Sequence, residues 1–447
     1  MIKTYDEALS FIHGRTQFKK IPTLTRMKRF LAELGNPQKG LNYIHVTGTN
    51  GKGSTVAMMR SALLESGLTV GSFTSPFITR FNERIEYNGI PISDADLLRL
   101  VQKIAPVVKK LDNTLETGGP TEFEIDTALM FCYMAEKKPN VVLLEVGIGG
   151  LYDSTNVITP VISVITTVGW DHMKYLGDTL AKIAAQKAGI IKKSVPVVLG
   201  DLPTEARETI LADAKEKKSP FFELGKDFTV HKLNGHQFHA KIRYQGKNLK
   251  KIETILGLPG DYQIENAAVA LMAVELFMEK HGLAIDRRAL IAGLENAAWP
   301  GRLEEINTTP LVLLDGAHNL PGVQALVHTI KNDFADREVY LLVAILADKQ
   351  YELMLGELAS LGNVHLTVTH FAGPGPKRPS ADLAKAIADI PTKYPIQTIN
   401  DWQLGIGQVA SQMSADDVMI ITGSLYFVSD VRKFFLNPKC QFKLEKS

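Results

Sequence analysis

Short hydrophobic runs alternate with amphipathic stretches along most of the chain, and this alternation predicts the elements of the fold. Before residue 300, apolar runs predict strands over residues 43–46, 69–74, 141–144 and 161–166, and residues 195–260 are predicted to contain further short strands with an antiparallel excursion. Apolar positions with helical spacing predict helices over residues 4–13, 22–34, 55–66, 93–111, 121–136, 178–189, 203–218, 262–280 and 286–297. Beyond residue 300, helical stretches separate strands over residues 311–314, 339–345, 364–368, 396–399 and 418–421. Such alternation is typical of an α/β fold with parallel sheets.

A glycine-rich segment with the sequence TGTNGKGS (47–54) joins the first apolar run to a predicted helix. Glycines let backbone N–H groups converge on anionic oxygens at a helix start, the lysine adds charge at the terminal phosphates, and the serine can meet Mg²⁺. The general P-loop has a glycine where Val46 stands here, so the match is to the shorter Gly-x-x-Gly-Lys-Gly-Ser. A structural glycine turn is the alternative, but Gly-Lys-Gly-Ser at a helix start favours nucleotide binding. The predicted ATP-binding loop comprises Thr49, Asn50, Gly51, Lys52, Gly53 and Ser54.

The chain of 447 residues is long enough for two hydrophobic cores. Its helical pattern breaks at Trp299-Pro300-Gly301-Arg302, which is a candidate hinge. We therefore predict a P-loop-containing, ATP-binding domain with a mostly parallel sheet over residues 1–299. Residues 300–447 are predicted to form a smaller, Rossmann-like α/β domain.

Composition and charge narrow the class of partner. With 45% hydrophobic residues, 22% charged residues and a formal net charge of +2, the chain lacks the strong field that attracts nucleic acid or an acidic membrane surface. Its two cysteines, Cys132 and Cys440, are far apart and predict neither a disulfide framework nor a metal site. No apolar run is long enough to span a membrane, and the first residues lack a signal-peptide pattern. These features predict a cytoplasmic protein that binds neither nucleic acid nor membranes.

Polar side chains follow several predicted strands, at the edge where parallel sheets bind ligands. In the first domain, Glu145 and His172 follow successive strands. A carboxylate there is costly if merely buried and useful if it faces a cation, which predicts a Mg²⁺ site with Ser54 and, as a further candidate ligand, Ser75. The corresponding residues of the second domain are Asp315, His318 and Ser424. A triphosphate loop with Mg²⁺ ligands, together with a second domain of this kind, fits an ATP-dependent ligase better than a motor protein.

Nine short motifs occur between residues 46 and 424: VTGTNGKGS (46–54), TSPF (74–77), RFNER (80–84), EVGIGG (145–150), DSTN (153–156), KAGIIK (187–192), PGRLE (300–304), DGAHN (315–319) and ITGS (421–424). In sequence and order they resemble those of the folylpolyglutamate synthase family. Its members are often bifunctional with dihydrofolate synthase, and the family is related to the Mur peptide ligases. Each motif alone is modest, but together they are highly specific and span nearly the full chain.

The resemblance implies an ATP-dependent ligase that adds L-glutamate to the γ-carboxylate of a reduced folate through an acyl phosphate, so that folylpolyglutamates form. It leaves open whether dihydropteroate is a second acceptor, which would make the protein a dihydrofolate synthase as well. It also implies two Mg²⁺ sites, with ATP, L-glutamate and the folate or pteroate as small-molecule partners. We expect the protein to be a monomer.

By the same resemblance, Lys52 and the loop around it hold the β and γ phosphates, while Ser75 and Glu145 bind the first Mg²⁺. His172 and Lys187 bind the second Mg²⁺, with Lys187 carbamylated by carbon dioxide so that it becomes an oxygen ligand. The alternatives are a surface lysine at a helix end for Lys187 and a supporting histidine for His172.

The resemblance further implies that Asn266 contacts adenine, Arg302 the phosphates and Asp315 the ribose. The alternative for Asn266 is an amide that faces its own helix, and the alternative for Arg302 is a surface ion pair. His318 and Ser424 are implied to orient the glutamate, and would otherwise be cap or turn residues.

The pteridine ring is implied to lie against a site that includes Phe77, Arg84 and Thr121. A core aromatic is an equally good interpretation of Phe77. The implied catalytic residues are Lys52, Glu145, His172, Lys187 and His318.

Two other function classes compete with this one. A Mur-type ligase that adds an amino acid to a cell-wall UDP-sugar peptide carries a UDP-binding domain ahead of its P-loop, and too few residues precede Lys52 for such a domain. A nucleotide-binding module or regulatory ATPase would leave Glu145, His172 and Lys187 without a shared purpose.

Overall fold

A computed structural model describes residues 2–16, 23–116, 118–233, 238–373, 378–387 and 390–437. The chain forms two compact units. The first comprises Met1–His231, Ile242–Thr254 and Glu265–Ala297, and the second comprises Lys232–Lys241, Ile255–Ile264 and Ala298–Ser447. Two short segments ahead of Ala298 thus belong with the second unit, and the domain limits of 1–299 and 300–447 stay a prediction.

The first unit is built on an eight-stranded sheet. Its strands are β1 Tyr43–Thr47, β2 Val70–Phe73, β3 Ile85–Tyr87, β4 Ile90–Pro91, β5 Val141–Glu145, β6 Ile162–Ile165, β7 Val197–Leu199 and β8 Phe221–Glu223. They lie in the order β4-β3-β2-β5-β1-β6-β7-β8. Strands from β2 to β8 in this order pair in parallel, whereas β3 and β4 add an antiparallel edge. A separate sheet has the order β11-β10-β9, with β9 Thr229–Leu233, β10 Lys241–Gln245 and β11 Ile252–Ile255.

Ten α-helices are described before residue 296. They are α1 Tyr5–His13, α2 Thr25–Glu33, α3 Lys52–Glu65, α4 Asp94–Thr114, α5 Glu122–Lys137, α6 Met173–Leu176, α7 Leu180–Ala188, α8 Thr204–Glu216, α9 Tyr262–Lys280 and α10 Arg287–Glu295. Strands β1 and β5 are buried at every position, as expected for parallel strands covered on both faces. Helix α3, which follows the glycine-rich loop, packs against β1, β2 and β5.

The second unit has a six-stranded sheet in the order β12-β13-β17-β14-β15-β16. Its strands are β12 Glu304–Thr308, β13 Leu311–Asp315, β14 Val339–Ala344, β15 Val364–His370, β16 Gln397–Asp401 and β17 Val418–Gly423. Only the edge pair β12 and β13 is antiparallel within this described sheet. The connecting helices are α11 Leu320–Asp333, α12 Tyr351–Ala359, α13 Leu383–Ala386, α14 Trp402–Gln412 and α15 Leu425–Leu436.

The register of the first sheet brings three strand ends to one edge. Val46 of β1 lies opposite Glu145 of β5, and Thr47 lies opposite Ile165 of β6. The loop after β1, the carboxylate that ends β5 and the segment after β6 therefore start from neighbouring positions. This edge is where ligands of open parallel sheets bind.

The predicted α/β fold class, with its two parallel sheets, is confirmed. The hydrophobic pattern missed the short strands β3, β4 and β12, helix α6 and a 3₁₀ turn over Phe81–Arg84. Strands β3 and β4 are joined by Asn88 and Gly89, both at positive φ. Asn-Gly is a strong hairpin signal, so the turn chemistry held information that hydrophobic periodicity lacked.

Two chain-wide predictions concern membranes and cysteines. Within the described ranges, none of the helices combines the length and the apolar character needed to cross a membrane. Cys132 is free and buried, and its burial raises the pKa of its thiol to about 11. Cys440 lies outside the described residues.

Candidate active site

The loop between β1 and α3 has the geometry of an anion site. Gly51 adopts a left-handed conformation, with φ of 82°, and α3 begins at the next residue, Lys52. N–H groups in the first turn of a helix have no intrahelical acceptor, and the helix dipole favours an anion there. The Nζ of Lys52 donates to the carbonyl oxygens of Gly48 and Thr49, at 3.0 and 3.1 Å. The loop thus brings backbone donors and a cation together.

The segment after β6 braces this loop from the side. Thr49 N donates to the carbonyl oxygen of Thr167 at 2.9 Å, and Asn50 N donates to the Thr167 hydroxyl at 2.9 Å. The hydroxyl of Thr166 donates to the carbonyl oxygen of Asn50 at 2.6 Å. Gly169 N donates to the Thr49 hydroxyl at 2.9 Å. Hydrogen bonds to the segment after β6 therefore fix the conformation of the loop.

Asn266, on α9, lies against the same loop. A Cβ atom built on Gly51 would stand 2.3 Å from Oδ1 of Asn266. Asn266 is buried, so its amide is confined to this position. The structure thus brings Asn266 together with the loop residues Thr49 to Ser54.

We expect Gly51→Ala to weaken nucleotide binding by about tenfold, because a left-handed alanine costs about 1–2 kcal/mol and its Cβ would displace Asn266. Gly67→Ala is the matched control. Gly67 follows α3 at φ +79° and has no atom within 4 Å of a built Cβ. Calorimetry with AMPPCP should show weaker binding only for Gly51→Ala, while thermal melts show backbone strain in both. Equal affinities in the two variants would contradict the expected role of Gly51.

Glu145 is a buried carboxylate at the end of β5. Its Oε2 accepts a hydrogen bond from Ser75 N at 3.1 Å. Ser54 is buried in the first turn of α3. Hydroxyl and carboxylate oxygens are the ligands that Mg²⁺ prefers, and Mg²⁺ is commonly held by one or two carboxylates, water and substrate phosphates. In the part of the chain described, no group of three or more His, Cys, Asp or Glu side chains is placed to hold a metal ion.

Lys187 is buried in the last turn of α7, so the surface-lysine alternative is wrong. Burial lowers the pKa of Lys187 well below its ordinary value; the charge of Lys52 lowers it further, and Asp171 opposes the shift. Burial thus disfavours the charged form of the Lys187 amine. These effects place Lys52 and Asp171 in the electrostatic environment of Lys187.

His172 precedes α6 and adopts a left-handed conformation, with φ of 51°. Its side chain is 37% exposed, and its Nε2 lies 3.8 Å from Oδ2 of Asp171. The backbone N–H of His172 donates to Oδ1 of Asp171 at 2.8 Å. Asp171 thus contacts His172 and also acts on the charge of Lys187. The sequence analysis did not single out Asp171. The signal was present in the acidic residue directly before the histidine.

Phe77 and Arg84 lie together beside the first sheet. The Arg84 guanidinium is 5.1 Å from the ring centroid of Phe77 and 5.7 Å from that of Phe81. Phe77 is half-buried, so it is not a fully buried core aromatic. Thr121 instead caps α5, where its hydroxyl accepts from Glu124 N at 3.3 Å and its own N–H donates to Glu124 Oε2 at 2.8 Å.

In the second unit, Asp315 fixes the loop around Arg302. Its Oδ2 accepts from Leu303 N at 3.1 Å and its Oδ1 accepts from Ala317 N at 3.0 Å. Burial raises the pKa of Asp315, whereas the nearby Arg302 lowers it. Arg302 donates to the carbonyl oxygen of Gly301 at 3.3 Å. Asp315 therefore holds the segment before β12 against the end of β13.

His318 and Ser424 follow two paired strands of the second sheet, β13 and β17. Nδ1 of His318 donates to the carbonyl oxygen of Gly316 at 2.9 Å. Ser424 is buried and caps α15, where its hydroxyl accepts from Tyr426 N at 3.3 Å. Ser424 is thus a helix-cap residue, as the alternative interpretation states, and its contact with glutamate stays a prediction. The second unit brings both residues, with Asp315 and Arg302, to one sheet edge.

Comparisons with known proteins match two successive parts of the chain. Residues 46–274 match the Mur ligase middle domain, and residues 301–425 match the Mur ligase glutamate ligase domain. The chain is 43% identical over 439 residues to the dihydrofolate synthase/folylpolyglutamate synthase of Bacillus subtilis, covering 97% of this chain and 99% of the relative.

Solved structures are similar over nearly the whole length. The Mycobacterium tuberculosis folylpolyglutamate synthase complexed with ADP and AMPPCP has a TM-score of 0.88 and 29% identity, over 97% of this chain and 98% of that one. A folylpolyglutamate synthase complex with AMPPCP and folate has a TM-score of 0.85 and 36% identity, over 97% of this chain and 100% of that one.

Proposed function

The chain belongs to the Mur ligase family and, within it, to the folylpolyglutamate and dihydrofolate synthases. From this premise we propose that it joins L-glutamate to the γ-carboxylate of a reduced folate. ATP is converted to ADP and phosphate in the same reaction. It is an ATP-dependent carbon–nitrogen ligase. The observation that carries the proposal is a braced phosphate loop whose lysine, Lys52, shares its electrostatic environment with Lys187, a buried lysine of lowered pKa. A regulatory ATPase would give a buried lysine at this position no catalytic role.

The loop residues Thr49 to Ser54 bind the β and γ phosphates, with Lys52 placed to offset their charge. Asn266, beside Gly51, contacts the adenine. Arg302 contacts the phosphates, and Asp315 positions Arg302 while it orients the ribose. The complexes of similar proteins with ADP, AMPPCP and folate support the binding of a nucleotide and a folate by this chain.

Two Mg²⁺ ions accompany the nucleotide in this proposal. Ser54, Ser75 and Glu145 offer oxygen atoms for the first. His172 and carbamylated Lys187 hold the second. When bound, the ions neutralise charge on the transferring phosphoryl group and its neighbours. These residues suit Mg²⁺ because they offer hydroxyl and carboxylate oxygen atoms, which are its preferred ligands.

The lowered pKa of Lys187 favours the uncharged amine that carbamylation needs. The neutral Nζ carries a lone pair, which forms a bond to the carbon of carbon dioxide as one proton leaves the nitrogen. The product is an anion with two oxygen atoms, so an uncharged group becomes a negatively charged one. A protonated surface lysine lacks the lone pair that this reaction needs.

The reaction has two steps. An oxygen of the folate γ-carboxylate attacks the γ-phosphorus in line, the bond to the bridging oxygen of ADP breaks, and an acyl phosphate forms. The deprotonated amino group of L-glutamate then attacks the acyl carbon, and phosphate leaves as the amide forms. Lys52 stabilises the charge that spreads over the transferring group. His318 and Ser424 orient the glutamate, and Phe77, Arg84 and Thr121 line the pteridine site.

Dihydropteroate is a second candidate acceptor, because the Bacillus subtilis relative is named for both activities. A cell-wall Mur ligase is disfavoured, since the relatives named here act on folates by name. We also propose that the protein works as a monomer in the cytoplasm.

We expect the purified chain, supplied with MgATP and radiolabelled L-glutamate, to incorporate label into tetrahydrofolate. Parallel reactions with dihydropteroate decide whether the second activity is present. Controls without ATP and with D-glutamate should give no product, because acyl phosphate formation needs ATP and the amine must be held in one orientation. Absence of incorporation with every folate and pteroate would contradict the proposed function.

A further inference from the structure

The loop after β5, residues 145–156, lies against the end of α7, the helix that carries Lys187. The backbone N–H of Leu151 in this loop donates to the carbonyl oxygen of Gln186 at 2.7 Å. A Cβ atom built on Gly150 would stand 2.8 Å from the Gln186 carbonyl oxygen and 3.0 Å from that of Lys187. The loop therefore touches the backbone of the helical turn from which the Lys187 side chain extends.

A second glycine lets the same two segments pack backbone against backbone. Gly189 follows directly after α7. A Cβ atom built on it would stand 2.5 Å from the Cβ of Leu151 and 2.7 Å from its backbone N. Side-chain atoms do not approach that closely, so only glycine allows the loop to pass the helix end at this distance. A displacement of the loop would therefore also displace the end of α7.

The side chain of Asn156 joins the loop to the helix end. Asn156 is buried, and its Nδ2 donates to the carbonyl oxygen of Leu151 at 3.0 Å and to that of Gly189 at 3.1 Å. Its Oδ1 accepts from Nζ of Lys192 at 2.7 Å. An asparagine amide has two N–H donors and one carbonyl oxygen, and all of them are used here. One side chain thus ties together the loop, the end of α7 and Lys192.

Two lysines strengthen this end of α7. Nζ of Lys192 also donates to the carbonyl oxygen of Gly189, at 3.4 Å, and Nζ of Lys217 donates to that of Ala188, at 3.3 Å. The last carbonyl groups of a helix have no partner within the helix, and the helix dipole favours cations beside them. The end of α7 is therefore held by Asn156 and two lysines that lie outside the helix.

We propose that Asn156 is a positioning residue that fixes Lys187 relative to Glu145. This inference rests on the proposed function, in which Glu145 and Lys187 hold different Mg²⁺ ions. Glu145 begins the loop that Asn156 ends, and Lys187 lies two residues before Gly189, so the amide of Asn156 acts on the backbone of both. A displacement of about 1 Å in an active site can lower a rate by about 100-fold. Asn156 thus sets the spacing of the two metal-binding side chains without touching either of them.

The test is Asn156→Asp, which keeps the shape of the side chain and the contact with Lys192 but replaces the two N–H donors with an acceptor oxygen. Electron paramagnetic resonance in the presence of AMPPCP counts bound Mn²⁺, which takes the same oxygen ligands as Mg²⁺. The wild type should bind two Mn²⁺ ions per chain. In Asn156→Asp the affinity for the second ion should fall roughly 10- to 100-fold, as is typical when a residue that orients a metal ligand is changed. The affinity for the first ion should stay within about threefold.

Turnover provides a second readout that a purely structural residue would not change. A carbamate on a displaced Lys187 is held more weakly by its ion, so the turnover of Asn156→Asp should fall and should partly recover when Mg²⁺ and bicarbonate are raised together. Lys192→Met leaves the donors of Asn156 in place and removes only the cation behind them. It should weaken the second Mn²⁺ ion in the same direction, but less than Asn156→Asp does.

Asn363→Asp is the matched control, because Nδ2 of Asn363 also donates to two backbone carbonyl oxygens, those of Phe334 and Arg337, each at 2.8 Å, but in the second unit. Its thermal stability should fall as that of Asn156→Asp does, while both Mn²⁺ affinities stay at the wild-type values.

Equal affinities for the second Mn²⁺ ion in the wild type and in Asn156→Asp would overturn the inference alone. If Asn156→Asp does not fold, Lys192→Met decides, and an unchanged second-ion affinity in that variant would overturn the inference. A wild type that binds a single Mn²⁺ ion would overturn the two-ion part of the proposed function, and the inference with it.

Discussion

Lys187→Ala is expected to lower the turnover of the ligase by roughly 10²- to 10³-fold, and short carboxylates such as acetate or propionate should restore part of the loss. The physical reason is the burial of Lys187, which lowers the pKa of its amine and so favours the uncharged form that takes up carbon dioxide. Alanine leaves a space that a small carboxylate can fill with two oxygen atoms. Initial rates of folate-dependent ADP release, with and without added carboxylate, measure both effects.

Lys182→Ala is the control for this experiment, because Lys182 lies on the same helix but is 62% exposed and pairs with Asp178. It should keep wild-type turnover and show no response to carboxylates. ¹³C NMR of the wild type equilibrated with labelled bicarbonate should show a carbamate signal that Lys187→Ala lacks. Full turnover of Lys187→Ala without added carboxylate would contradict the carbamate assignment.

Lys52→Met is expected to lower turnover by roughly 10²- to 10⁴-fold, because the positive charge nearest the transferring phosphoryl group is lost. Methionine preserves most of the length and apolar volume of the side chain. AMPPCP affinity should fall less than turnover does, since the backbone donors of the loop and its bracing by Thr166 and Thr167 remain. Single-turnover formation of ADP separates the chemical step from binding.

Lys110→Ala serves as a charge-matched control, because Lys110 is 54% exposed and pairs with Glu33 on the surface. Its expected turnover is that of the wild type. A parallel loss of nucleotide affinity and turnover in Lys52→Met would assign Lys52 to uniform binding of ATP rather than to the transition state.

The strand ends and the phosphate loop were predictable from sequence because both follow from short-range rules. An apolar run that stops at Glu145 or before Thr47 marks the edge of a parallel sheet, and Gly-Lys-Gly-Ser marks a helix start. The comparisons confirm the α/β fold and the family resemblance. The individual site residues stay predictions, although the structure brings Ser75 to Glu145, Asn266 to Gly51 and Asp315 to the segment around Arg302.

What sequence reasoning missed depends on contacts between distant parts of the chain. Thr167 supports Asn50 across 117 positions of sequence, and no local pattern announces such a pairing. Asp126 is buried in α5, and the Arg84 guanidinium 3.6 Å away comes from a distant part of the chain. The burial of Lys187 likewise follows from packing, since a lysine near a helix end is most often exposed.

The bracing of the nucleotide loop by the segment after β6 also has a kinetic consequence. Because those hydrogen bonds form when the chain folds, the loop needs little ordering when ATP arrives, and the entropy of ordering is lost at folding instead. Association should then be a single fast step that is limited by diffusion and orientation, without a slow isomerisation of the loop afterwards. Thr167→Val removes the hydroxyl that accepts from Asn50 N. The time course of nucleotide binding to this variant should then show two phases instead of one.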